Sequence, residues 1–342
     1  MLKGFCMNQR KASITGKKVL VAGAGGFIGS HIARALYKNG NYVRAVDVKW
    51  DNFIKEPHFS KALTMDLRNF DNCKKATEGM DYVFNFAANM GGIGYITRQG
   101  ANIMHDSSMI NLNLLNCSVK NNLERFFYAS SACVYPEHLQ LESDVRPLKE
   151  ADAYPAMPDT YYGWEKLYTE RLCEAFSVDY GLKTRIARYH NIYGPESTFD
   201  GGREKAPSAL CRKVALATNP GAIEVWGDGE QTRSFCYIDD CVNATLALAS
   251  SSYEMPINVG SDRLVTINQL ADMIIAISGK KIAKNHNTKG AQGVRGRNAD
   301  ISLIKEKLGW EPKVSLEKGL EKTYRWTSKE IIDRASPLQV KM

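Results

Sequence analysis

Apolar residues cluster in short, β-branched runs along the first half of the chain: Lys18–Ala22, Tyr42–Val46, Ala62–Met65, Tyr82–Phe86, Phe126–Ala129 and Thr184–Ala187. The runs are continuous rather than alternating, which is the pattern of strands covered on both faces. Between them lie stretches of helical periodicity, including His31–Lys38, Ser107–Lys120 and Tyr162–Tyr180. Strand–helix alternation predicts βαβ units and therefore an α/β fold, a doubly wound parallel sheet spanning 18–190. After Asn191 the rhythm breaks. NIYGPESTFDGGREKAP and VWGDGEQTRSF are punctuated by Gly and Pro and read as long functional loops, with two further helical stretches after Thr266. A smaller, mixed C-terminal substrate-binding region over 191–330 is expected, its pieces packed over one end of the sheet and the chain free to return to the first unit.

Composition narrows the class. A length of 342 residues favours about two domains, and 44% apolar with 24% charged residues excludes a mainly disordered chain. No apolar run approaches the roughly 18 residues of a membrane span, so no membrane partner is expected. Residues 1–17 have no apolar core of the kind a secretory leader carries. Eight cysteines, at 6, 73, 117, 133, 173, 211, 236 and 241, form no CxxC pair. They predict free thiols in a reducing, cytoplasmic setting, with no disulfide framework and no metal site. Asp239-Asp240 lacks further ligands at metal-binding spacing. The net charge of +8 is spread thinly. It suits an anionic small molecule, and no nucleic-acid motif accompanies it.

The first strand runs into Gly23-Ala24-Gly25-Gly26-Phe27-Ile28-Gly29. Glycines there permit a tight turn, close backbone approach to a pyrophosphate and close helix–strand packing, with the helix N-terminus facing the negative charge. This is the Rossmann arrangement, with Gly23, Gly25, Gly26, Phe27, Ile28 and Gly29 as cofactor-binding positions. Asp47, 18 residues after Gly29, ends the second strand, where a carboxylate binds both hydroxyls of an adenosine ribose. It would repel a 2′-phosphate, so NAD is expected in preference to NADP. Asp66, after the third strand, is the candidate for the adenine edge.

Tyr162 and Lys166 stand four residues apart, on one face of a helix. Such a pair is usually an ordinary exposed one, but Tyr128-Ala-Ser130-Ser131-Ala132-Cys133 ends a parallel strand, where doubly wound sheets bind their ligands. Ser131 can share a substrate hydroxyl with Tyr162, and the charge of Lys166 is expected to lower the phenol's pKa so that it acts as a base.

Together these motifs resemble the extended short-chain dehydrogenase/reductases that act on nucleotide sugars, the NAD-dependent epimerase/dehydratase family. The resemblance runs from Val19 to about Trp326, through NFAANMGGIGYI, FFYASSACVYP, RYHNIYGP, GGREKAP, WGDGEQTRSF and GVRGRN. It implies NAD as cofactor, with Tyr162 and Lys166 as the oxidoreductive pair. It implies Cys133 and Lys205 as the groups that take protons from the sugar ring and return them. Gly91, Ser131, Ala132, Cys133, Asn191, Glu204, Lys205, Ala206, Lys213, Gln231, Arg233 and Arg295 match positions that hold a GDP-sugar. The implied activity is epimerisation of GDP-mannose at C3 and C5 through a transient C4 ketone, to GDP-L-galactose and GDP-L-gulose. A homodimer through the 107–121 and 162–180 helices is also implied. Asn89, Tyr161 and Trp164 depart from the family pattern; Asn89 stands where Asp is usual.

The chemistry is self-consistent. Ring protons at C3 and C5 become acidic once C4 is a ketone, a thiol near an ammonium is a workable base, and inversion needs an acid on the opposite face. The other cysteines read as small core fillers. Arg203, Arg233 and Arg295, each in a glycine-bearing loop, suggest a diphosphate clamp. His190 reads as a core histidine. A 4-epimerase would leave Cys133 and Lys205 unexplained, and a 4,6-dehydratase would carry an Asp-Glu pair where Ala132-Cys133 stands. A silent NAD-binding scaffold would usually have lost Tyr162 or Lys166.

Overall fold

The computed structural model describes residues 14–50 and 58–335, so Cys6 and most of the N-terminal segment discussed above lie outside the described residues. Six strands come first in chain order: β1 (Lys18–Ala22), β2 (Tyr42–Asp47), β3 (Lys61–Thr64), β4 (Tyr82–Asn85), β5 (Arg125–Ser131) and β6 (Lys183–Tyr189). With Ile257–Val259 they form a seven-stranded sheet in the order Ile257–Val259, β6, β5, β4, β1, β2, β3. Every pairing in it is parallel. This is the doubly wound α/β sheet that the alternation predicts.

The helices α1 (Phe27–Lys38), α2 (Phe70–Thr77), α3 (Ile93–Ile96), α4 (Gly100–Lys120) and α5 (Tyr161–Tyr180) follow in order. Side chains of β1 alternate between two cores: Val19 and Val21 in one, Leu20 and Ala22 in the other, all fully buried. Burial on both faces explains why the strand reads as an unbroken apolar run.

Two strand ends matter for the site. The apolar run of β5 stops at Ala129, yet its ladder with β6 continues to Ser131↔Tyr189. Pairing thus carries two serines to the sheet's C-terminal edge. Helix α5 starts there too, with the Thr160 side chain accepting the Gly163 N–H at 3.2 Å.

Beyond Asn191 the chain builds helices Ala206–Leu216, Ile238–Ser250, Ile267–Ser278 and Leu316–Ala335 and three small sheets. The segment VWGDGEQTRSF is more regular than its glycines suggest. Its Thr232–Ser234 pairs with both Leu264–Thr266 and Gly296–Arg297.

Candidate active site

At the nucleotide end, Gly23 takes φ +79 and its N–H donates to Val46 O at 2.8 Å. A Cβ there would lie 2.6 Å from the Phe86–Ala87 backbone, and one on Gly25 would lie 2.3 Å from Lys49 O. Only glycine lets the turn lie this close against the strand ends. Gly26 is the N-cap of α1 and no side chain caps the helix, so the first-turn N–H groups beside Phe27, Ile28 and Gly29 are left for an anion. The Asp47 carboxylate folds over this turn. Its Oδ2 accepts the Gly25 N–H at 2.9 Å and its Oδ1 accepts Val48 N–H at 2.7 Å. Burial pushes its pKa above the usual carboxylate value, against the pull of these N–H groups. Asp66 is placed beyond β3 and is paired with Arg68 at 2.7 Å. The cradle fits the pyrophosphate of a dinucleotide, with the Asp47 carboxylate beside it.

A cavity of about 440 Å³ opens at the C-terminal edge of the sheet. Gly91, Ser131, Ala132, Cys133, Tyr162 and Asn191 line its sheet side. Glu204, Lys205, Ala206 and Lys213 line a second wall, and Gln231 and Arg233 a third. Lys213 donates to Glu224 O at 2.8 Å, and Asn191, held at φ +44, donates to Ser234 O at 2.8 Å. Cys133 is half-buried, whereas Cys73, Cys117, Cys173, Cys211, Cys236 and Cys241 are buried free thiols, as fillers are.

Ser131 Oγ accepts the Cys133 N–H at 3.2 Å, and its hydroxyl beside Tyr162 draws the phenol's pKa down. Burial acts more strongly and raises it overall. The expected effect of Lys166 is not what this site shows. Its ammonium donates to Ala129 O at 3.0 Å and sits 5.6 Å from the Tyr162 ring centroid, and burial lowers its own pKa. In each group burial outweighs the contributions of its neighbours.

Lys205 stands at the N-cap of Ala206–Leu216 and reaches into the cavity, where it makes no hydrogen bond among the described residues. Protein around the ammonium lowers its pKa, while Cys133 and Cys241 oppose the shift. The position at a helix N-terminus is unfavourable for a cation as well.

The expected three-arginine clamp does not form. Arg233 lines the cavity, with Nη2 donating to Val294 O at 2.6 Å. Arg295 instead pairs with Asp228 at 2.8 Å and does not line the cavity. Arg203 lies over the Tyr95 ring, 4.0 Å from its centroid. The cation that sequence reasoning missed is Arg297. Its Nη1 donates to Cys133 Sγ at 3.2 Å, its Nη2 lies 3.9 Å from Asp159, and its Nε is held by Gln140 Oε1. Burial beside Arg297 pushes the Arg233 pKa down to about 9, the mark of two cations sharing a site that suits an anion. Three cavity-lining polar atoms have no hydrogen-bond partner among the described residues: Glu204 Oε2, Gln231 Oε1 and Arg297 Nη2, the last 3.9 Å from the Asp159 carboxylate. Buried polar atoms are nearly always paired, so this trio points to a polar ligand.

His190 is the core histidine expected, its Nε2–H donating to Asn258 Oδ1 at 2.9 Å. Asn89 hydrogen-bonds Asp106 at 3.1 Å; an Asp at that position would face a second carboxylate. No helix among the described residues is long and apolar enough to cross a membrane.

The family model described as "NAD dependent epimerase/dehydratase family" matches residues 19–260. The chain belongs to that family, whose name carries its cofactor, NAD. A curated Arabidopsis thaliana protein named GDP-mannose 3,5-epimerase is 50% identical over 315 residues, covering 92% of this chain and 83% of that protein. Among solved structures, a UDP-glucose 4-epimerase of Thermotoga maritima with UDP-glucose superposes with TM-score 0.83 at 29% identity, covering 92% of this chain and 99% of that one. A UDP-glucuronic acid 4-epimerase of Bacillus cereus, in complex with UDP-glucuronic acid and NAD, gives TM-score 0.79 at 28% identity with the same coverage.

Proposed function

We propose that this chain epimerises GDP-mannose at C3 and C5 of the hexose through a transient C4 ketone, giving GDP-L-galactose, with GDP-L-gulose as the product where C5 alone is inverted. The observation that carries the reading is the convergence of Tyr162, Cys133 and Lys205 on one cavity from three separate segments. A 4-epimerase needs the first of these and has no use for the other two. The half-identity to the Arabidopsis relative supports the same substrate.

NAD held by the Gly23–Gly29 turn and Asp47 would supply a hydride acceptor for C4 that also restores the hydride, with no net redox change, and its oxidised ring charge would favour a phenolate. Tyr162 takes the proton of the C4 hydroxyl, with Ser131 holding the same oxygen. Lys166 is pinned to Ala129 O behind the phenol. Cys133, its sulfur held by Arg297, removes the ring proton α to the ketone, and Lys205 returns one to the opposite face. Arg233 and Arg297 provide the positive charge that a nucleotide diphosphate sugar needs, and the unpaired Glu204 and Gln231 oxygens suit sugar hydroxyls or base N–H groups.

Residues 18–190 serve in this reading as the NAD-binding unit and 191–330 as the nucleotide-sugar region, apart from the return of Ile257–Val259 to the first unit's sheet. A cytoplasmic homodimer through α4 and α5 completes it. Exposed Tyr161, Trp164 and Tyr168 recur at helical spacing on α5, and Met109 is exposed on α4. Incubating the purified protein with GDP-mannose and reading the sugar by NMR tests the function. Inverted C3 and C5 signals are expected; a product changed only at C4, or a 6-deoxy-4-keto sugar, refutes it.

A further inference from the structure

Lys205 must present its ammonium at a defined place, yet the turn before it has little to hold it. Gly201 and Gly202 lie at φ +81 and +80, and a Cβ on either would meet nothing within 4 Å. Asp200 and Glu204 pair with Arg334 and Arg212, and the residue that ties the segment to the chain after β4 is Arg203. Arg203 stacks 4.0 Å over the Tyr95 ring centroid, and its Nη2 donates to the Tyr95 hydroxyl at 2.7 Å. That hydroxyl donates in turn to Asn89 Oδ1 at 2.7 Å. Asn89 Nδ2 donates to Asp106 Oδ2 at 3.1 Å, and Asp106 Oδ1 accepts from Arg68 Nη1 at 3.1 Å. Backbone contacts reinforce the seam: Gly92 N–H donates to Arg203 O at 3.0 Å, and a Cβ on Gly92 would lie 2.4 Å from Glu204 O.

We propose that Arg203 and Tyr95, backed by Asn89, form a latch that fixes the Lys205 segment against the loop after β4, and that they are positioning residues for the inverting protonation. Neither transfers a proton. Cys133 is held from elsewhere, by Ser131 at the end of β5 and by Arg297, so proton removal does not pass through the latch. The proposal rests on the reading of Lys205 as the returning acid. Asn89 has a specific part in it, because the amide accepts from the tyrosine with one end and donates to Asp106 with the other, which a carboxylate cannot do.

The full-length protein is run with GDP-mannose in deuterium oxide, and two quantities are read by NMR: deuterium in sugar of unchanged configuration, and inverted product. Arg203→Met should cut inversion by about 10- to 100-fold, the range for a misplaced reacting group, while exchange with retention stays within about threefold of wild type. Tyr95→Phe, which keeps the ring and the fold, should shift the same ratio by about 3- to 10-fold, since one hydrogen bond to a charged group is lost. Arg203→Lys should recover part of the loss. Exchange and inversion falling in parallel, or an unchanged ratio in both variants, would overturn the latch. Lys205→Ala is the control: inversion surviving in that variant would overturn the proposal at its base, the role of Lys205, and not at the latch.

Discussion

Gly163→Ala tests whether the approach of α5 to the Cys133 loop sets the reaction geometry. A Cβ at position 163 would lie 2.1 Å from Cys133 O and 2.8 Å from Pro158 Cβ. To reach an ordinary 3.4 Å contact the helix and the loop must part by about 1.3 Å. Neither side yields easily, because one contact is backbone and the Cys133 N–H is tied to Ser131 Oγ. The added methyl overpacks a dry seam, which costs about 1–3 kcal/mol of stability. In a chain of this size that lowers Tm by roughly 1–4 °C, so the variant should fold. The functional cost is larger. Tyr162 stands on the helix and Cys133 on the loop, so parting them misplaces one relative to the other, and an error near 1 Å costs on the order of 100-fold in rate. Turnover of GDP-mannose, measured beside a melting curve and retained NAD, separates the two effects. A variant within about threefold of wild-type turnover would show that this spacing is not what the chemistry depends on.

Two further outcomes follow from titratable groups shifted by desolvation. Lys205 is an exposed residue whose ammonium is desolvated by the cavity walls, which lowers its pKa below the usual lysine value. An acid works only while protonated, so inversion should be lost as pH rises before an ordinary lysine would titrate, and inversion holding flat to that pH in stable enzyme would contradict this. His190 is buried neutral with its pKa pushed down to about 3. Its stabilisation is complete above the unfolded value of about 6.5 and is lost, at about 1.4 kcal/mol per pH unit, as pH falls toward the folded value. His190→Gln should therefore flatten the acid limb of a stability-against-pH curve, and an unchanged limb would show the histidine is not buried neutral.

Much of this fold is legible in the sequence because burial on both faces writes itself as unbroken apolar runs. The seventh strand, Ile257–Val259, is not: three residues between Pro256 and Gly260 carry too little pattern, and only pairing with β6 defines it. The same holds at the site. Residues on the glycine turn, the serine strand and the start of α5 are close in sequence to the elements that aim them. Arg295 and Arg297 are two residues apart in a glycine-flanked run, and nothing local tells them apart. Their roles are set by Asp228, 67 positions away, and by Cys133, 164 positions away. Lys166 was legible as a neighbour of Tyr162, but not the desolvation that shifts each of them, which depends on how completely both are covered.

The measurement that bears most directly on the account is the position of deuterium in sugar recovered from GDP-mannose turned over in deuterium oxide. Tyr162, Cys133 and Lys205 acting as described put deuterium at C3 and C5 and leave C4 protonated, because the hydride at C4 never exchanges with water. Cys133→Ala should abolish the label while NAD and substrate still bind. Epimerised product carrying no deuterium at C3 or C5, or carrying it at C4, would contradict the mechanism.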